Sequence, residues 1–325
     1  MSLTRVLLAL VMLTFGVLRP PAAEPVVWLD YTQAELDRVY DQAVYAPNLA
    51  QVLKRQAANS VAARQAIGEP RRLAYGSNAT EHLDVYPTAA KNAPIHIYIH
   101  GGTWRFGRAR DNAFAAELFV RGGAHFVVPD FASVTDHDGN LQPLVDQLRS
   151  AIVWVYHHAA AEFGGDRDRI HLSGFSSGGH LAAVMLITDW TRLGLPANVL
   201  KSGLIVSGMY DLDPVALSSR REYVTLHAPA IARLSPIHHL NRITGPLIIA
   251  HGTLETPEFK RQAREFHRAG QAHGLAAELL IIPESNHFET IETLANPYAP
   301  LGRAALRLMG LDVKRNFAPS VAPLE

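Results

Sequence analysis

Apolar residues recur along this chain in two rhythms, and the change from one to the other divides it. Near the start, Leu36, Val39, Tyr40, Ala43 and Val44 repeat at the three- and four-residue spacing of a helix. Thr32 stands ahead of them with Glu35 three residues on, a capping-box pattern. A second helical stretch covers about 48–67, and short extended runs follow at 72–75 and 82–86, split by the turn formers Gly76, Ser77 and Asn78. Beyond them, short apolar runs alternate with longer helical stretches. The runs are 95–99, 125–128, 170–173, 203–206, 247–250 and 277–282, and the helices between and after them lie near 111–121, 141–163, 178–190, 257–273 and 297–309. Such runs read as strands covered on both faces, as in parallel sheets.

Strand–helix alternation of this kind predicts an α/β fold with a doubly wound, mostly parallel sheet. No internal repeat is visible. Residues 211–244 break the rhythm and are rich in His, Pro and Arg, so a small cap-like excursion over the top of the sheet is expected there. One domain is expected over 24–310, with a loose tail from 311 to 325.

Composition narrows the possibilities. The 325 residues are 48% hydrophobic and 18% charged, with Lys+Arg 30 against Asp+Glu 30, the profile of a globular protein. A balanced charge argues against a nucleic-acid partner held through phosphates. The absence of cysteine excludes disulfides, thiolate metal sites and a cysteine nucleophile. The apolar run 6–18 follows Arg5 and precedes Ala22 and Ala23, a secretory-signal pattern, although Pro21 sits where a small residue is preferred. Residues 1–23 are therefore expected to be a signal peptide and the chain to be exported, periplasmic or secreted. The run is too short to span a bilayer comfortably, so no stable membrane insertion is expected.

Candidate chemistry gathers at strand ends, where open α/β sheets place their sites. The run 170–173 leads into Gly174-Phe175-Ser176-Ser177-Gly178 and then a helix, the strand–turn–helix setting of a nucleophilic serine. Ser176 would be the nucleophile and Ser177 chiefly an N–H donor. The run 95–99 ends in His100-Gly101-Gly102-Thr103-Trp104, a loop able to turn N–H groups toward a ligand. The oxyanion donors expected are the backbone N–H groups of Gly102, Thr103 and Ser177. Further on, His287 follows 277–282 and would be the base, with Glu255, after 247–250, as the acid that orients it. Glu258, placed in the next helix, and Glu284, three residues before His287, remain rivals for the acid. His251 and His100 read as loop anchors. Trp104, Phe175 and Tyr210 stand beside these motifs and could line a substrate pocket. His96 and His100 share a strand face, but no ligand-spaced third group accompanies them, so no metal is expected, and no Gly-rich phosphate loop suggests a nucleotide cofactor.

Together, HGGTW, Gly164–Ala183, SGMYDL at 207–212, SPIHHL at 235–240, TPEFKRQAREF at 256–266 and SNHF at 285–288 resemble the arylformamidase (kynurenine formamidase)-like branch of the α/β-hydrolases, near the hormone-sensitive-lipase-like esterases. The resemblance covers about 31–310. It implies a Ser–acid–His hydrolase without cofactor that acts on small esters or aryl formamides, and it places the family's acid at Glu255, just before a small residue and Pro-Glu-Phe. Four positions depart from the family pattern. Phe175 stands where relatives usually have His, Ser177 where they have Ala, Thr103 where an aromatic is common, and Glu255 where Asp is more frequent.

The expected activity is hydrolysis of small carboxylic esters through an acyl-enzyme on Ser176. The alternatives are an arylformamidase, a peptidase, or a non-catalytic binding protein on a hydrolase fold.

Overall fold

The computed structural model describes residues 24–311 and Phe317. The expected signal peptide and most of the expected tail lie outside the described residues. Eight strands form the main sheet: β1 (Arg71–Ala74), β2 (His82–Tyr86), β3 (Ala93–Ile99), β4 (His125–Pro129), β5 (Gly165–Phe175), β6 (Leu200–Val206), β7 (Leu247–Gly252) and β8 (Ala277–Ile282). Their spatial order is β8-β7-β6-β5-β3-β4-β2-β1. From β8 to β4 all pairs are parallel, and β2 and β1 add an antiparallel edge. A short antiparallel pair, Val26–Trp28 with Tyr31–Thr32, precedes it.

Helices follow in chain order: α1 (Gln33–Tyr40), α2 (Leu49–Ile67), α3 (Ala116–Arg121), α4 (Gln142–Phe163), α5 (Ser177–Leu186), α6 (Asp213–Leu217), α7 (Ala228–Leu234), α8 (Pro257–Ala272), α9 (His287–Thr290) and α10 (Pro300–Leu308). Strand side chains alternate between two cores, as their two-residue period requires. Ile95, Ile97, Ile99, Val127, Leu172, Ile205 and Ile249 face one core, closed by Leu36 of α1, Leu144 and Leu148 of α4, Leu181 of α5 and Phe259 of α8. Tyr98, Phe126, Val128, Leu204, Val206 and Ile248 face the other, closed by Phe119 of α3 and Leu301 and Leu306 of α10. Burial on both faces is why these strands read as apolar runs.

Local chemistry sets the helix ends. The Thr32 hydroxyl caps α1 and Glu35 reaches back to the Thr32 N–H, the expected capping box. Gly164, at φ 77°, stops α4 in the left-handed region that glycine adopts without strain. Three expected helices shift. The stretch read as 111–121 is a 3₁₀ segment, Ala109–Ala115, joined to α3, because Asn112 leaves helical geometry. The stretch read as 297–309 begins only at Pro300, whose fixed φ suits a first turn. The helix read as 178–190 ends at Leu186. Conversely, the strand seen at 170–173 extends over Gly165–Phe175.

The irregular 211–244 stretch holds α6, α7 and two 3₁₀ turns, Ser219–Glu222 and Pro236–Arg242. It packs over the HGG loop and α5. The Arg105 guanidinium lies 3.7 Å from the Tyr223 ring centre, and His180 of α5 bonds the Leu234 carbonyl at 2.9 Å. Among the described residues, no helix is long and apolar enough to cross a membrane.

Candidate active site

β5 ends at Phe175 and α5 begins at Ser177, so Ser176 alone makes the turn between them. It does so at φ 57° and ψ −124°, a conformation disfavoured for a side-chain-bearing residue and held only by its surroundings. Its N–H bonds the Val206 carbonyl at 2.9 Å. The flanking glycines are required by crowding. A Cβ on Gly174 would lie 2.2 Å from the Gly178 carbonyl oxygen, and one on Gly178 would lie 2.2 Å from that of Ile99.

His287 opens α9, and the Asn286 side chain caps that helix by accepting from the Phe288 and Glu289 N–H groups. Asn286 is itself held to Asn48 at 2.8 Å. His287 Nε2 stands 2.9 Å from Ser176 Oγ, and its Nδ1 stands 3.0 Å from Glu255 Oε2. An ionised carboxylate can only accept, so Nδ1 carries the proton and Nε2 is left to accept from the serine hydroxyl. Phe175, Phe259 and Phe288 surround the imidazole, with ring centres at 4.7, 5.2 and 5.2 Å.

Glu255 is buried in the loop after β7. Burial alone would raise its carboxyl. The hydrogen bond and charge of His287, with the Gly252 N–H and the Ser207 hydroxyl, outweigh that and hold it below the usual carboxylate range. Oε1 takes bonds from Ser207 Oγ and the Gly252 N–H, each at 2.6 Å, and a longer one from Thr290 Oγ1 at 3.4 Å. Oε2 is thereby left to His287.

The HGG loop lies against the serine turn. A Cβ on Gly101 would approach Ser176 Cβ to 3.1 Å and the Phe175 carbonyl oxygen to 2.9 Å. Gly102, Thr103 and Trp104 all have positive φ, at 123°, 56° and 59°. The Gly102 carbonyl accepts from the Arg105 and Phe106 N–H groups, closing a tight turn. Neither the Gly102 nor the Thr103 N–H bonds a partner among the described residues. As the first residue of α5, Ser177 has no intrahelical acceptor for its own N–H. His100 anchors the loop: Nδ1 donates to the Gly101 carbonyl at 2.8 Å and the ring stacks on Phe131.

Of the rival acids, Glu258 lies in α8, bonded to Tyr40 and Arg261. Glu284 is exposed, and its N–H bonds Thr253. His251 is buried, with Nδ1 on the Gly252 carbonyl.

The three expected pocket residues fall in different places. Phe175 flanks His287. Trp104 borders a cavity of about 370 Å³ beside the HGG loop, shared with His100, Arg105, Phe106 and Phe131. Ser176 and His287 are not in that cavity's wall. The Trp104 indole N–H donates to His180 Nδ1 at 3.2 Å, tying the loop to α5. Tyr210 turns inward. It is fully buried, stacked on Phe266, with its hydroxyl taking the Gly208 N–H.

Sequence reasoning passed over Ser207 and Thr290, which complete the Glu255 environment. Ser207 was visible as the first residue of SGMYDL at the end of β6. Asp211, Asp213 and His238 bring ligand-type atoms within 4.8 Å of one another, a grouping the sequence spacing did not suggest; all three are at least partly exposed.

Comparison with known proteins agrees with the fold. A family model described as BD-FAE matches residues 83–198. Kynurenine formamidase of Danio rerio is 27% identical over 296 residues, covering 87% of this chain and 98% of its own. Esterase LipC of Mycobacterium tuberculosis (strain ATCC 25618 / H37Rv) is 27% identical over 221 residues, covering 60% of this chain and 53% of its own. A crystal structure from Silicibacter sp. TM1040, described as that of a thioesterase, superposes with a TM-score of 0.72 at 25% identity, covering 83% of this chain and 98% of the other.

Proposed function

We propose that this chain, which has the α/β-hydrolase fold and is similar to kynurenine formamidase and esterase relatives, cleaves small carboxylic esters through Ser176, His287 and Glu255. One observation carries the reading: the continuous hydrogen-bonded line from Ser176 Oγ through His287 to Glu255 Oε2. In this mechanism Ser176 Oγ attacks the substrate carbonyl carbon while its proton passes to His287 Nε2. The carbonyl oxygen becomes an oxyanion facing the N–H groups of Gly102, Thr103 and Ser177. Such donors each contribute a few kcal/mol in the transition state, about 3 being typical. His287 then gives its proton to the departing alcohol, leaving Ser176 acylated. Water, deprotonated by His287, attacks the acyl carbon and frees the acid and the serine. Glu255 keeps the proton on Nδ1 and stabilises the imidazolium. Phe175, beside His287, would form one wall for the substrate. Export belongs to this reading through the signal pattern of residues 1–23 alone.

A formamide substrate is the second reading. It is supported by a full-length relative named kynurenine formamidase, and the same groups can protonate an amine leaving group. Rates on p-nitrophenyl acetate, p-nitrophenyl butyrate and N-formylkynurenine separate the two. Faster ester turnover, lost in Ser176→Ala, supports the first reading. A formamide preferred by orders of magnitude selects the second. Undiminished turnover in Ser176→Ala on all three contradicts both.

A further inference from the structure

Ser207 follows directly after β6, is fully buried, and adopts φ 51°. A residue with a side chain is strained in that region, and glycine is the residue that relieves it. Glycine already stands next door at Gly208, so the fold tolerates glycine in this turn, yet a serine occupies the strained position. What the side chain gains there, among the described residues, is one hydrogen bond: Ser207 Oγ donates to Glu255 Oε1 at 2.6 Å. The Ser207 N–H is already engaged by the Ala250 carbonyl at 2.8 Å, so the hydroxyl is fixed from a backbone tied to the adjacent strand β7.

We propose that Ser207 is a positioning residue for the reaction, its hydroxyl locking Glu255 Oε1 so that Oε2 alone faces His287. The inference rests on the proposed roles of Ser176, His287 and Glu255. The Gly252 N–H also donates to Oε1, at 2.6 Å, from the backbone. Thr290 Oγ1 stands 3.4 Å from that oxygen, with its hydroxyl donating to the Asn286 carbonyl at 2.8 Å. Among the described residues, Ser207 therefore supplies the one short side-chain bond to Oε1. The bond does two things. It removes the rotation that would exchange the two carboxylate oxygens, and it stabilises the charged form of a buried acid. The titratable groups facing Glu255 are His287 from α9, His251 from the end of β7 and Tyr210 from the loop after β6. Without the hydroxyl, the charged form of Glu255 loses one of the donors that hold its carboxyl low, so it is less well stabilised beside His287.

Ser207→Gly tests this, because it removes the hydroxyl while relieving the strained backbone. With p-nitrophenyl acetate, kcat is expected to fall about ten-fold with KM little changed, from the loss of one hydrogen bond to a charged group. The acid limb of kcat/KM should move up by about half a pH unit or more. Ser207→Cys, a weaker donor of similar size, should fall between the two in both respects. Thermal unfolding of each variant shows whether the fold is retained. A folded Ser207→Gly protein with wild-type kcat and an unmoved acid limb overturns the inference. Failure of both variants to fold also overturns it, since the hydroxyl would then serve the fold and not the acid. Ser176→Ala in parallel keeps the two levels apart: if it abolishes turnover while Ser207→Gly changes nothing, only the role of Ser207 falls.

Discussion

Glu255 divides its two oxygens between fixed donors and the imidazole, and that division sets what each substitution at the site should do. Glu255→Gln keeps the shape but offers an amide that can donate to His287 Nδ1. The ring would then carry its proton on Nε2 and could no longer accept from Ser176. Turnover of p-nitrophenyl butyrate is expected to fall by about three to four orders of magnitude with KM nearly unchanged, read from steady-state kinetics. At this scale the motifs announced Ser176, His287 and Glu255 because each stands at a strand end beside a residue type that acyl transfer needs. Side-chain direction was not readable in the same way. Trp104 and Tyr210 are each next to a motif, but the Trp104 indole turns to His180 and Tyr210 turns inward onto Phe266. Adjacency in sequence fixes where a Cα lies and leaves open which face its side chain takes.

Among the elements, the β5–α5 turn is the most tightly constrained. Gly178 Cα approaches the carbonyls of Ile99 and His100 so closely that an added Cβ would sit 2.2 and 2.3 Å from their oxygens. These are backbone atoms of the strand end that carries the HGG loop, and they cannot rotate away. Gly178→Ala is therefore expected to destabilise the protein by about 2 kcal/mol or more, measured by urea unfolding, and to lower kcat as the loop is pushed from the serine. Most strand positions were readable from the sequence because the central strands are buried on both faces and so mostly apolar; β8, at the sheet edge, is only partly buried and was readable from its apolar content alone. Helix starts were less so, since Asn112 breaks the stretch before α3 and Pro300 delays α10. The excursion was visible only as a lost rhythm. Its two short helices owe their place to tertiary contacts such as His180 to Leu234, which no local pattern encodes.

Over the molecule as a whole, several buried histidines are held neutral. Burial pushes His171 and His180 down to about 4, and His96, also buried and faced by His171, falls well below its ordinary value. A histidine lowered in the fold takes up protons more readily once the chain unfolds. Its neutral form costs nothing above the unfolded pKa, near 6.5, and each such group weakens the fold as pH drops from there toward 4. Glu255 acts in the same direction but lower on the scale, because its depressed carboxyl stabilises the fold above the unfolded value near 4.3 and that stability is lost as pH falls through the folded one. The melting temperature should thus decline steadily between pH 7 and 5, with His171 and His180 each contributing on the order of 2 kcal/mol by pH 5. A melting temperature flat across that range would contradict this. Replacing His180 with an apolar residue should flatten the decline in part.

The central claim is that Ser176 is the nucleophile, activated through His287. The most direct measurement is stoichiometric labelling of the folded protein with a fluorophosphonate, with the adduct located by peptide mass spectrometry. One equivalent on Ser176, slowed severely in His287→Ala and absent in Ser176→Ala, is the predicted result. An adduct on another residue, or none at all in protein that turns over p-nitrophenyl esters, would contradict the account.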